Sequence, residues 1–383
     1  MSIALENGVE IHGEPVEVEE KVSKKTKSPR QRATKKKATS FEPNPADSLL
    51  SALKFISVAQ KKVGPPEAQF CKISHNWACA SDGILTVAHP IEEDLTACPQ
   101  TLLFIEALGK VKSDLSIAQI NERNIVVNSG NFRGLIPCVS ENEISITAPD
   151  PQIVPLNNDI KTALSSVLIL ATEGAPVATY ATVLLQANSA VSTNGAAMLE
   201  YWHGIDLPPG MLLPKAAAVA IAKSPYDLTG FGYSGPSATF YFSNGSFIKT
   251  QLYGEKYPNY NHLLECDMTD LVDIPADFFV GIKALSYFSK EGNVFFKDGK
   301  LMSNEYSNEA SSYTFEGLPD DMGFNIKYLQ QVEHAFKKAK FDKEGMKVHF
   351  FDDNVRGALM GLRMSNISET RATDVTDDSD LPF

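Results

Sequence analysis

The chain has 383 residues, enough for two to four compact domains, and its 43% apolar composition is that of a folded protein. A formal net charge of −12, taken whole, speaks against a nucleic-acid partner, but the charge is unevenly spread. No run approaches about 18 consecutive apolar residues, and residues 1–20 are acidic where a signal peptide would be basic and then apolar, so a cytoplasmic protein without membrane contact is expected.

In chain order, residues 21–37 come first, with nine Lys and Arg, no acid and almost nothing to bury. Residues 1–40 therefore read as a disordered basic arm, making loose phosphate contact or serving as a solubilising leader. The five cysteines (Cys71, Cys79, Cys98, Cys138, Cys266) form no C-x-x-C pair, and the seven histidines show no ligand spacing. Buried free thiols, no metal and no cofactor are expected.

After the arm the chain repeats itself. Three tight-turn signals recur, "ASDGIL" at Gly83, "STNGAA" at Gly195 and "FKDGKL" at Gly299, each between apolar runs. Such dipeptides mark hairpins, and a type I′ turn with both central residues at positive φ is expected at all three. A helical pattern precedes each hairpin, over 46–62, 158–172 and 275–290. A second follows, over 98–112, 213–224 and 323–340, and then another hairpin. Helix, strands, helix, strands thus runs three times. The predicted architecture is α+β with domains at 41–150, 151–270 and 271–365, and a tail at 366–383.

The six helical stretches hold Lys54, Lys61, Lys62, Lys110, Lys112, Lys161, Lys215, Lys223, Lys283, Lys290, Lys327, Lys337, Lys338 and Lys340, against five acids. The rest of the folded part and the tail carry 12 basic and 36 acidic residues. Helices sharing one face would make a positive track for a polyanion, with an outer wall that repels it; the plainer alternative is lysines on the wet side of each helix.

The threefold plan, with "SDGILTVAHPI", "LLPKAAAVAIAK", "SNGSFIKTQLYGEKYPNY" and "ALMGLRM" in this order, resembles the bacterial sliding clamp, the β subunit of DNA polymerase III. The resemblance covers about residues 46–364. It implies three clamp domains per chain and two chains closed head to tail into a ring, with helices lining the hole and sheets outside. Its implied function is that of a non-enzymatic processivity factor that encircles duplex DNA and tethers a polymerase, with a clamp loader as further partner. It also implies a partner-peptide pocket between the middle and last domains. That pocket comprises Tyr180, Ala181, Thr193, Gly195, Ala197, Met198, Pro258, His262, Leu263, Met360, Gly361, Leu362, Arg363 and Met364. The family's usual Asp-Gly-His-Arg-Leu is replaced by Asn194-Gly195-Ala196-Ala197-Met198, and its Met-Pro-Met-Arg-Leu by "MGLRM". With the arm and tail added, a divergent, phage-encoded member is one reading.

The tail ends in "DDSDLPF" (Asp377–Phe383), acidic with an apolar tip. Peptides that dock on sliding clamps share its Leu-x-Phe spacing, so Leu381, Pro382 and Phe383 are expected to compete for the chain's own partner pocket. Recruitment of proteins that read single-strand-binding tails and a solvated end are the other readings. The same tip raises the alternative of a single-stranded DNA-binding protein, against which stands the lack of regular exposed aromatics. "GFGYSG" (Gly230, Gly232, Gly235) is no dinucleotide site, because Pro236 and a strand follow where a helix must start. No nucleophile, general base or catalytic cluster is legible, so no enzyme is expected.

Overall fold

The computed structural model describes residues 45–112, 114–306, 310–315 and 317–363. The expected arm, Met364 and the expected tail with Leu381, Pro382 and Phe383 lie outside the described residues. Repeat one has α1 (Asp47–Ile56), strands Lys72–Ser74, Trp77–Ser81 and Leu85–Pro90, then α2 (Thr101–Leu108) and strands Ser116–Asn121, Asn124–Ser129 and Phe132–Pro137. Repeat two has α3 (Asp159–Val167), strands Thr182–Leu185, Ser189–Thr193, Ala197–Trp202 and Met211–Pro214, then α4 (Lys215–Lys223) and strands Leu228–Tyr233, Ser237–Phe242 and Phe247–Gln251. A short helix α5 (Asn261–Leu264) leads into repeat three. That repeat has α6 (Phe278–Ser286), strands Asn293–Lys297, Lys300–Met302, Ser312–Thr314 and Met322–Asn325, then α7 (Ile326–Val332) and strands Lys338–Asp342, Lys347–Asp352 and Val355–Met360.

The helices are shorter than their apolar period implies. In α1, Leu49, Leu50, Leu53 and Ile56 are buried at spacings of three and four while Ser51 and Lys54 stay outside. The largest departure is at 323–340, where α7 ends at Val332 and a 3₁₀ turn at Glu333–Ala335 leads into the Lys338–Asp342 strand. Buried Ala335, Phe336 and Ala339 mimic a helical stripe, but Ala339 is the inward residue of an alternating strand. Lys338 and Lys340 are therefore strand residues, which corrects their placement on a helix.

The hairpin turns hold at all three glycines, with one difference in type. Asp298 and Gly299 both have positive φ, 52° and 68°, as type I′ requires. At the other two, only Gly83 (φ 87°) and Gly195 (φ 88°) do, as first central residues of II′-like turns. Asp82 and Asn194 close those turns instead: Asp82 Oδ1 accepts from the Ile84 and Leu85 amides, and Asn194 Oδ1 from those of Ala196 and Ala197.

Two sheets run across the repeat junctions. Leu85–Pro90 pairs antiparallel with Phe247–Gln251 inside a seven-stranded sheet, and Ala197–Trp202 pairs antiparallel with Val355–Met360 inside an eight-stranded one. Continuous sheets and a main apolar core that runs through all three repeats make the described residues a single compact unit. A three-stranded sheet in repeat one and a four-stranded sheet in repeat three remain. Their outer strands Phe132–Pro137 and Ser312–Thr314 pair on one side only. Among the described residues no helix is long and apolar enough to cross a membrane.

Candidate DNA-facing lysines and partner site

Helical placement separates the fourteen lysines. Lys54, Lys161, Lys215, Lys223, Lys283 and Lys327 lie on helices; Lys61, Lys62, Lys110, Lys112 and Lys290 follow helix ends; Lys337, Lys338 and Lys340 enter or belong to a strand. Partners separate them again. Lys161 Nζ donates to the Ser224 and Tyr226 carbonyls at 2.7 and 2.8 Å, so it staples α3 to the end of α4, and burial lowers its pKa against the pull of Asp227. Lys215 Nζ donates to the Ala171 carbonyl at 2.6 Å. Lys61, Lys283, Lys337, Lys338 and Lys340 pair with Asp82, Glu333, Asp352, Asp273 and Asp267. Among the described residues Lys54, Lys62, Lys110, Lys112, Lys223, Lys290 and Lys327 have no ion-pair partner, and these are the charges available to a polyanion.

The residues expected at a partner site are brought together only in part. Met198, Leu184, Val191, Leu212, Tyr260, Leu264 and Ala358 form a buried apolar cluster separate from the main core, with Tyr257 against it. Met198 stands opposite Ala358 across the strand pair joining repeats two and three. Around it, Thr193 Oγ1 donates to the Ala197 carbonyl at 2.7 Å and accepts from the Gly195 amide at 3.1 Å. A Cβ on Gly195 would stand 2.8 Å from the Tyr180 hydroxyl, so that ring packs on bare backbone. Ala181 and Ala197 are buried, whereas Pro258, His262, Leu263, Met360 and Arg363 reach the surface. Gly361 and Leu362 lead away, their amides donating to the Met346 and Gly323 carbonyls.

Sequence reasoning missed Leu184, Val191, Leu212, Tyr257, Tyr260, Leu264 and Ala358. Leu263 and Leu264 are adjacent and equally apolar, so composition could not tell which faces inward; Leu264 is 2% exposed and Leu263 39%. The expected free thiols are present, Cys71, Cys98 and Cys138 buried and Cys79 and Cys266 half-buried. Burial pushes the Cys71 thiol up to about 12 and those of Cys79 and Cys98 to about 11, which leaves them protonated at neutral pH. Among the described residues no group of three or more metal-ligating side chains comes together.

No protein-family model matches the chain, and no curated protein matches it. Solved structures do. The DNA polymerase III subunit beta from Pseudomonas aeruginosa superposes with TM-score 0.70 at 12% identity, over 82% of this chain and 98% of the other. The fold is that of the sliding clamp. A DNA polymerase sliding clamp from Caulobacter crescentus matches the clamp fold with TM-score 0.69 at 15% identity, over 82% of this chain and 97% of that one. The Helicobacter pylori beta clamp bound to a DNA ligase peptide gives 0.67 at 14%, over 82% and 97%. The α+β clamp architecture expected from the repeats is thus present at a sequence distance where few side chains are shared.

Proposed function

We propose that this chain is a non-enzymatic processivity factor, a sliding clamp that closes around duplex DNA as a head-to-tail pair of copies and tethers a polymerase. The observation that carries the reading is the pattern of strand edges. Inside the chain, the last strand of repeat two pairs with the first hairpin of repeat one, and the last strand of repeat three with that of repeat two. The same rule leaves repeat three's hairpin sheet, ending at Ser312–Thr314, and repeat one's Phe132–Pro137 without a partner repeat. A second copy supplies both, and six repeats then close.

Exposed apolar residues accompany the two sheets: Leu135 and Ile120 on the first, Tyr287, Phe288 and Tyr306 beside the second. The unpaired lysines supply sequence-independent phosphate contacts, which suits a ring held by topology. Polymerase and clamp-loader binding is assigned to the Met198 cluster and its exposed border, Leu263 and Met360. No observation favours the single-strand-binding alternative. The test is retention: protein loaded on nicked circular DNA is expected to stay bound, and to be lost when the circle is linearised. Equal retention before and after linearisation would overturn the ring.

A further inference from the structure

Where α1 meets α4, a cavity of about 710 Å³ opens between repeats one and two. Phe55 and Val58 form one apolar wall and Val219 and Ala220 the other, with Lys54 and Lys223 on the lining beside Lys215. Glu173 is the one acid among its lining residues. Lys54 and Lys223 are exposed and have no ion-pair partner among the described residues.

Charge and apolar surface together constrain the occupant. A phosphate backbone would use the lysines and leave the apolar walls wet; an uncharged apolar peptide would do the reverse. A segment with carboxylates next to large apolar side chains satisfies both. Residues 377–383, Asp-Asp-Ser-Asp-Leu-Pro-Phe, have this composition and lie outside the described residues. We propose that residues 377–383 of this chain dock in the α1–α4 cavity, with Leu381 and Phe383 on its apolar walls and Asp377, Asp378 and Asp380 beside Lys54, Lys215 and Lys223.

The path is short enough. Leu362 bridges to Gly323 just before α7, and the 3₁₀ turn after α7 touches α3 through a 3.0 Å hydrogen bond between His334 and Ser166. Helix α3 packs along α4. At about 10 Å per helix crossing and about 1.5 Å per residue along α7, the distance from Arg363 to the cavity is at most about 40 Å. The 13 residues of 364–376, which join Arg363 to the docked segment, span about 20 Å as a coil and about 45 Å when extended.

Charge also argues against the site expected for the tail from sequence. Next to the Met198 cluster, a cleft of about 720 Å³ is lined by Glu265 and Asp353, which have no ion-pair partner among the described residues, and by Asp267 and Asp352, which pair with Lys340 and Lys337, while its Arg356 is already paired with Glu200. An acidic segment is repelled there and attracted at the α1–α4 cavity.

The experiment places a photo-crosslinking benzoylphenylalanine at Phe383 in the full chain and maps its adducts by mass spectrometry, without DNA. Adducts are expected on α1 and α4. The double change Lys54→Glu with Lys223→Glu is expected to reduce them about fivefold, from two exposed charge pairs, and about 0.5 M salt to weaken them similarly. A milder Lys54→Gln with Lys223→Gln pair, checked for an unchanged melting temperature, guards against misfolding. Adducts centred on Met198 or Leu263, a spread indifferent to both lysine pairs, or no adducts each overturn the proposal. Because no DNA enters the measurement, its outcome is separate from that of the retention test.

Discussion

Glu200 and Arg356 face each other in register across the strands that join repeat two to repeat three, with Arg356 Nη2 2.7 Å from Glu200 Oε2. The carboxylate is buried and also accepts from Ser189 Oγ at 2.7 Å, while the guanidinium lies 4.9 Å from the centre of the Trp202 ring. A buried carboxylate is tolerated only while paired. Arg356→Ala is expected to cost about 2–3 kcal/mol in urea unfolding, because it strands that charge, whereas Glu200→Met with Arg356→Leu stays within about 1 kcal/mol of the parent. Equal losses in the single and double variants would mean that packing, not the ion pair, holds the junction.

Asp150 pins the link between repeats one and two. Its side chain accepts from Ser234, Ser237, Thr239 and Lys249, and its carbonyl from the Tyr241 hydroxyl. Burial alone would raise the carboxyl pKa, but the donated hydrogen bonds from Ser234, Thr239, Lys249 and Ser237 outweigh it and hold the pKa below its ordinary value. A folded-state pKa below the unfolded one gives stability that is present above about pH 4 and lost as pH falls through the folded value. Asp150→Asn is expected to cost about 1–3 kcal/mol at pH 7, with the gap to the parent closing below about pH 4 in thermal melts.

Ring closure predicts that a charge on either unpaired edge splits the pair. Phe288→Asp and Leu135→Asp each place a carboxylate on an exposed apolar residue, so folding should survive. Solution mass at micromolar concentration is expected to fall to that of one chain, with an unchanged melting profile. A parent that already weighs one chain would refute closure by two copies.

The repeat plan was legible in the sequence because three Asp-Gly or Asn-Gly turns and paired amphipathic runs are local signals. Helix ends were not: Ala335, Phe336 and Ala339 satisfy helical spacing while belonging to a 3₁₀ turn, its C-cap and a strand. The lysine track was legible as composition, but which lysines are spent on carbonyls or carboxylates depends on tertiary contacts such as Lys161 with Ser224, 63 residues apart. The cluster proposed as the partner site was half legible. Thr193, Gly195 and Met198 lie in or beside a recognisable turn, whereas Leu184, Leu212 and Ala358 are ordinary apolar residues until the sheet brings them together.

At that site, border and floor should respond differently. Leu263→Ala removes an exposed side chain and is expected to change stability by less than about 0.5 kcal/mol while weakening a Leu-x-Phe peptide several-fold. Met198→Ala empties part of the buried cluster and is expected to cost about 2–3 kcal/mol. Fluorescence anisotropy with a labelled peptide, read beside urea melts, separates the two. Unchanged peptide binding in both variants would move the partner site elsewhere.

Lys54, Lys327 and Lys161 lie on α1, α7 and α3, but among the described residues only Lys161 of the three has its charge committed to other groups. For Lys54 and Lys327, each exposed, mutation to Ala removes a proposed phosphate contact and little else. Each is expected to lower the slope of log affinity against log salt for duplex DNA by about 0.9, with stability unchanged. Lys161→Ala leaves the Ser224 and Tyr226 carbonyls without their ammonium donor, so it is expected to cost about 1–2 kcal/mol and leave the slope as it was. The contrast matters because a general loss of positive charge would weaken DNA binding alike in all three. If Lys161→Ala lowers the slope as much as Lys54→Ala does, the side chain leaves its two carbonyls to meet DNA, and the division of the lysines into structural and DNA-facing groups fails.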